Sequence, residues 1–206
     1  MTVLSLFDFS GSWSAPYEQA GYTVIRVDIK AGIDLLTWNY KQIERGQVVG
    51  ILAAPPCTHF TVSGAQYWKA KDKDGRTAKN VVLVYKTLEI VEYFQPMFWA
   101  LENPIGRIST LVPELKGTRL LDFDPCDFGD PYTKRTVLYG HFSPFLVRCP
   151  VKPYKGENGR HSIDVALNVP KKIGWHLRAS IRSNTPAGFA NAFFHANNPK
   201  NLHCQP

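Results

Sequence analysis

The 206-residue sequence predicts an α/β domain, a mostly parallel sheet with helices on both faces. Three observations carry that expectation. Short runs rich in β-branched residues recur along the chain ("TVLSLF", "YTVIRVDI", "VVGILAAPP", "MFWALENP"). Segments of helical period stand between them. The chain is 44% hydrophobic and 13% aromatic, enough to fill one real core.

Taken in order, "TVLSLF" is a first buried strand, and "DFSGSWSAPYEQAG" is a turn followed by a helix that Gly21 closes. "YTVIRVDI" and "VVGILAAPP" are strands. "TAKNVVLVYKTLEIVEYF" places Val81, Val84, Leu88, Val91 and Phe94 at helical spacing and runs into the strand "MFWALENP". "RTVLYG" is a later strand, and "TPAGFANAFFHA" is a closing helix with Pro186 near its first turn. Residues 1–206 read as one domain, with an aperiodic excursion near 143–180 and a loose tail over 197–206.

Composition removes several classes. No apolar run approaches the roughly 18–20 residues of a membrane span. The start "MTVLSLFDFSGSW" lacks the pattern of a signal peptide, which places the protein in the cytoplasm. Cys57, Cys126, Cys149 and Cys204 are scattered, so neither a disulfide framework nor a metal site is expected. The formal charge of +7 is localised. One cluster, "YWKAKDKDGRTAK" at 67–79, holds Lys69, Lys71, Lys73 and Arg76; another runs from Arg148 to Arg182 through Arg160 and Lys171. Such clusters favour a polyanionic partner, with a solvated face as the alternative.

Two tripeptides at strand ends carry the chemistry: "PPC" at Pro55, Pro56 and Cys57, and "ENP" at Glu102, Asn103 and Pro104. In that order, with a helix between, they resemble the nucleophile and Glu-Asn motifs of the cytosine-C5 methyltransferase family, and the resemblance extends over most of the chain. It implies a Rossmann-like, S-adenosylmethionine-dependent fold and methyl transfer to DNA, in a minimal, phage-like member. C5 of cytosine is a poor nucleophile until a thiolate adds at C6 and a carboxyl group meets the charge at N3. The resemblance gives those roles to Cys57 and Glu102, with Asn103 beside them.

The resemblance also implies the cofactor site. "LSLFDFSGSW" is similar to the family's opening loop, with either Phe7 or Phe9 in the Phe position and Gly11 as the one glycine kept. Asp28 stands where a carboxylate meets the ribose hydroxyls, and Asp34 where one meets the adenine amine. Pro55 borders the pocket, and "RSNTPAGFA" returns Asn184 and Thr185 to it. "DFGDPYTKRTVLYG" resembles the segment with two spaced arginines; here the basic residues, Lys134 and Arg135, are adjacent, and one of them touches the cytosine or a phosphate.

Residues 64–80 are expected to form a mobile loop closing over nucleic acid, with Tyr67 and Trp68 stacking on bases and Lys69, Lys71, Lys73 and Arg76 tracking phosphates. Only 143–180 stands where family members carry a target-recognition domain, so specificity is short, absent or borrowed from a partner protein. The same chemistry on RNA or a free pyrimidine nucleotide, and a catalytically silent nucleic-acid-binding relative, remain open alternatives.

Overall fold

A computed structural model describes residues 1–156, 159, 163–170 and 172–202. Arg160, Lys171, Cys204 and positions 203–206 of the expected tail lie outside the described residues. Six strands form one sheet in the order β2-β1-β3-β4-β6-β5: β1 (Thr2–Leu6), β2 (Thr23–Val27), β3 (Val48–Ala53), β4 (Phe98–Pro104), β5 (Arg119–Phe123) and β6 (Thr136–His141). Pairings β1·β2, β1·β3 and β3·β4 are parallel. Only β6 runs against the rest, antiparallel to β4 on one side and to β5 on the other. The expected α/β architecture with a mostly parallel sheet is thus the observed one.

Alternation along the strands sorts side chains to two faces. Leu4, Leu6, Ile51, Leu101, Val137 and Tyr139 point to one core, and Val3, Leu52, Ala100 and Leu138 to the other. The first core is covered by α3 (Arg76–Phe94) through Val84, Ile90 and Phe94. The second is covered by α1 (Ala15–Gln19), through Tyr17, and by α7 (Ala187–Ala196), through Phe189, Phe193 and Phe194. Aromatic rings dominate there: Phe189 stacks on Phe123 with centroids 4.2 Å apart, and Trp13 meets Phe193 edge-on at 5.6 Å.

The α3 face is turned slightly from the sequence expectation. Thr87 and Ile90 are fully buried, while Val81, Leu88 and Val91 pack at the margin. Thr87 tolerates burial because its hydroxyl donates to the Leu83 carbonyl at 3.0 Å.

The remaining helices are short. α2 (Trp68–Lys73) precedes α3, α4 (Ile108–Leu111) follows β4, and α5 (Ile163–Ala166) and α6 (Trp175–Ser183) lie in the 143–183 excursion. α8 (Pro199–Leu202) corrects the expectation of a loose tail over its described part. Lys200 Nζ donates to the Ala20 carbonyl at 2.6 Å, Tyr22 Oη to Asn198 at 2.6 Å, and Asn197 is 1% exposed. Polar side chains that cap backbone groups of α1 and β6 hold this segment, and such anchors leave no hydrophobic period in sequence.

Among the described residues no helix is long and apolar enough to cross a membrane.

Candidate active site

Parallel register brings the chemistry to one edge. Leu6 pairs with Val27 and with Ala53, and Ala53 with Leu101, so the loops opening at Phe7, Asp28 and Ala54 stand level with Glu102. Because β6 is antiparallel, with Thr136 opposite Pro104, the loop leading into it returns to the same edge and delivers Lys134. This is the carboxyl edge, where open α/β sheets bind ligands.

Glu102 is largely buried, its side chain 14% exposed, and Lys134 Nζ lies 3.7 Å from its carboxylate. Cys57 is a free, half-buried thiol. Burial pushes that thiol up from its ordinary value and the Glu102 carboxylate adds to the rise, while the charges of Lys134 and Lys71 oppose it. Asn103 is fully buried; its Nδ2 donates to the Pro55 carbonyl at 3.1 Å, tying the "PPC" turn to β4. Its Oδ1 is buried with no partner among the described residues.

Arg135 separates from Lys134. Its guanidinium reaches Asp124 at 3.5 Å and Asp122 at 3.8 Å and is half exposed. Successive side chains along extended backbone point to opposite sides, so adjacent basic residues cannot both face Glu102. The expectation of Arg135 beside Lys134 in the site is therefore corrected: of the two, Lys134 alone lies beside Glu102.

The β1 loop is built around Asp8, which sequence reasoning missed. Asp8 is 7% exposed and accepts from Ser5 Oγ at 2.8 Å, Ser14 Oγ at 2.9 Å and Ser14 N at 3.3 Å. One carboxylate thus joins the end of β1 to the start of α1. The readable signal is an Asp at a strand end among Ser5, Ser10 and Ser14. Phe7 takes a left-handed φ of 62° and Gly11 one of 70°. A Cβ on Gly11 would lie 2.6 Å from the Arg26 guanidinium, so its missing side chain accommodates Arg26.

Asp28 caps the turn after β2, accepting from Lys30 N at 2.8 Å through Oδ1, and Asp34 Oδ1 accepts from Leu36 N at 3.0 Å. The second oxygen of each carries no described hydrogen bond. Next to these carboxylates in the chain, Ile29 and Leu36 are 68% and 44% exposed, and Phe9 is 56% exposed. Two carboxylates with acceptor capacity to spare, flanked by uncovered apolar side chains, fit a nucleoside with hydroxyl and amine donors. The residues therefore suit S-adenosylmethionine, and Ile29 and Leu36 are additions that only exposure reveals. Lys30 Nζ sits 3.4 Å from Ser180 Oγ, which brings α6 to this loop. Asn184 closes α6 and is exposed, and Thr185 is half-buried before α7.

The expected loop at 64–80 is largely helical, a 3₁₀ segment over Val62–Tyr67 followed by α2. Trp68 does not present both ring faces to bases: the Arg107 guanidinium lies 4.4 Å from its ring centroid. Arg76 pairs with Asp74 at 2.6 Å, whereas Tyr67, Lys69 and Lys73 are exposed. A groove of about 540 Å³ on the α3 face, lined by Tyr85, Leu88, Trp99 and Glu114 among others, includes none of these site residues. Among the described residues no group of three His, Cys, Asp or Glu is placed to hold a metal ion.

No family model matches the chain. A protein of frog virus 3 named "Probable DNA (cytosine-5)-methyltransferase" is 27% identical over 182 residues, covering 78% of this chain and 83% of that one. The chain is thus similar over most of its length to a protein named as a cytosine-C5 methyltransferase, the family its two tripeptides resemble. The mostly parallel six-stranded α/β sheet is the architecture the resemblance implied. The "Type II methyltransferase M.DdeI" of Desulfomicrobium norvegicum is 22% identical over 68% of this chain, which spans only 40% of that relative. The solved methyltransferase EhMeth of Entamoeba histolytica is 20% identical over 76% of this chain and 57% of its own, with a TM-score of 0.48. The chain covers most of the viral protein's length and less than half of M.DdeI's.

Proposed function

We propose that the chain transfers a methyl group from S-adenosylmethionine to C5 of cytosine in DNA, through a covalent bond between Cys57 and C6. The observation that carries this reading is the convergence of Cys57, Glu102 and Lys134 on one sheet edge, beside a loop whose carboxylates suit the cofactor.

The electrostatics say how the residues divide the work. In the free protein, burial and the Glu102 charge keep Cys57 as a thiol. The reaction needs the reverse distribution, a thiolate and a carboxylic acid. With the proton on Glu102 its charge disappears, the principal charged opponent of the Cys57 thiolate is gone, and Lys134 and Lys71 favour the anion. Sγ then bonds to C6 as Glu102 gives its proton to N3, leaving C5 electron-rich. S-Adenosylmethionine, held through its ribose by Asp28 and its adenine by Asp34, would supply an electrophilic methyl group. Once C5 carries the methyl, the C5 proton passes to water, the C5–C6 double bond re-forms as Sγ leaves as a thiolate, and N3 returns its proton to Glu102. Asn103 keeps the "PPC" turn against β4 throughout. A duplex target has to be flipped to reach this edge, and Lys69 and Lys73 on α2, with Tyr67, are the exposed groups that meet its backbone and bases.

The test is to incubate the protein with S-adenosylmethionine and DNA, RNA or a nucleotide bearing 5-fluorocytosine. An adduct on Cys57 with DNA is the expected outcome, because fluorine cannot leave C5 as a proton does. Cys57→Ser should abolish both adduct and transfer. Transfer by Cys57→Ser at the parent rate refutes the nucleophile; an adduct with RNA or the nucleotide alone reassigns the substrate.

A further inference from the structure

The chain leaves β3 through Cys57 and is at once zipped to the turn that follows β4. Val62 N donates to the Ile105 carbonyl at 3.0 Å, Arg107 N to the Phe60 carbonyl at 2.9 Å, and Thr61 bridges Gly106. The Arg107 side chain, 15% exposed, adds a second layer. Its Nε donates to the His59 carbonyl at 3.2 Å, and Nη1 and Nη2 each donate to Asp72 on α2 at 2.7 Å. Nη2 also reaches Thr77 Oγ1 at 3.2 Å, and the guanidinium plane covers Trp68. One cation therefore joins the nucleophile loop, α2 and the start of α3. On the same helix, Lys71 Nζ donates to the Thr58 carbonyl at 2.5 Å, one residue from the thiol.

We infer that Arg107 is a positioning residue: its two-pronged hold on Asp72, with Trp68 beneath, anchors α2 so that the Lys71 ammonium stands beside Cys57. The inference deepens the methyltransfer reading above and rests on it only for its purpose. Arg107 touches neither the thiol nor Glu102. A planar fork is required, because a lysine cannot span both Asp72 oxygens and lie flat on an indole together. The charges facing Cys57 are Glu102 from β4, Lys134 from the loop before β6 and Lys71 from α2. His59, on the same loop, is pushed down by burial and by Lys71, so it sheds its proton below the usual histidine range. Of the two cations, only Lys71 is held through Arg107.

The experiment follows iodoacetamide alkylation of Cys57 against pH, mapped by peptide mass spectrometry. That separates the Cys57 signal from those of Cys126, Cys149 and Cys204 and needs neither cofactor nor methyl transfer. Lys71→Met should move the Cys57 profile to higher pH, since a charge favouring the thiolate is lost. Arg107→Lys and Asp72→Asn should each reproduce that shift, and neither should add to it in a Lys71→Met background. Asp72 lies at the surface, its side chain 46% exposed, so the Asn variant tests the link even if Arg107→Lys does not fold. A parental profile in Asp72→Asn, or shifts that add to that of Lys71→Met, overturns the inference. Absence of methyl transfer in the parent refutes the proposed function and leaves this readout standing.

Discussion

Replacing Gly106 with alanine tests whether the zipper beside Cys57 sets the geometry of the site. A Cβ at this position would lie 1.9 Å from the Phe60 carbonyl oxygen, 2.6 Å from its carbon and 2.9 Å from Thr61 Cα. A relaxed C···O approach is about 3.3 Å, so the two backbones must part by about 1.4 Å. All three atoms are backbone, so no side chain can swing aside. Overpacking of this kind costs about 1–3 kcal/mol. At 206 residues, each kcal/mol corresponds to about 2–4 °C, so the melting temperature should fall by about 2–12 °C. Displacement by about 1 Å near reacting groups costs on the order of 10²-fold in rate, so methyl transfer should drop by more than the stability loss accounts for. Gly64→Ala is the control, because its nearest neighbour is the Thr58 oxygen at an ordinary 3.6 Å. Scanning calorimetry and transfer of labelled methyl groups read both effects. A Gly106→Ala protein that melts within about 1 °C of the parent and keeps its rate refutes the argument.

Two further outcomes follow from the same geometry. Glu102→Gln removes a negative charge that opposes the Cys57 thiolate, so the thiol should ionise at lower pH; its alkylation profile should move down while methyl transfer falls by about 10²- to 10⁴-fold, and a profile moving up contradicts the assignment. Phe189→Ala empties a site that is 0% exposed and ringed by Trp13, Phe123 and Phe128, so urea unfolding should show a loss of about 3–5 kcal/mol, and a loss under about 1 kcal/mol would mean the second core is not built around it.

Strand and helix order were legible because β-branched runs and helical spacing record burial directly. The positions of Cys57 and Glu102 were legible for a different reason, since each follows the apolar run of a buried strand at the carboxyl edge of the sheet. Asp8 and Arg107 were not. Their partners are backbone carbonyls, serines and a carboxylate distant in sequence, and pairing of that kind has no period. Lys134 and Arg135 looked equivalent as neighbours, and only the antiparallel entry into β6, with Asp122 and Asp124 across from it, sends them apart. Residues 68–73 read as a loop because their charges hide a helix that owes its place to Asp72 and Trp68 gripping one guanidinium.

The docking of α8 has a consequence for handling the molecule. Lys200 lies against Ala20 and Tyr22, just before β2, and Thr23 N donates to the Met1 carbonyl at 3.2 Å, so Met1 and α8 gather at the amino edge of the sheet. Cys57 and Glu102 occupy the opposite edge. A fluorophore, affinity handle or tethered DNA-binding module fused ahead of Met1 would project away from Cys57. A short linker joining residue 202 to Met1 would allow new termini to be opened elsewhere, as circular permutation requires ends that are neighbours.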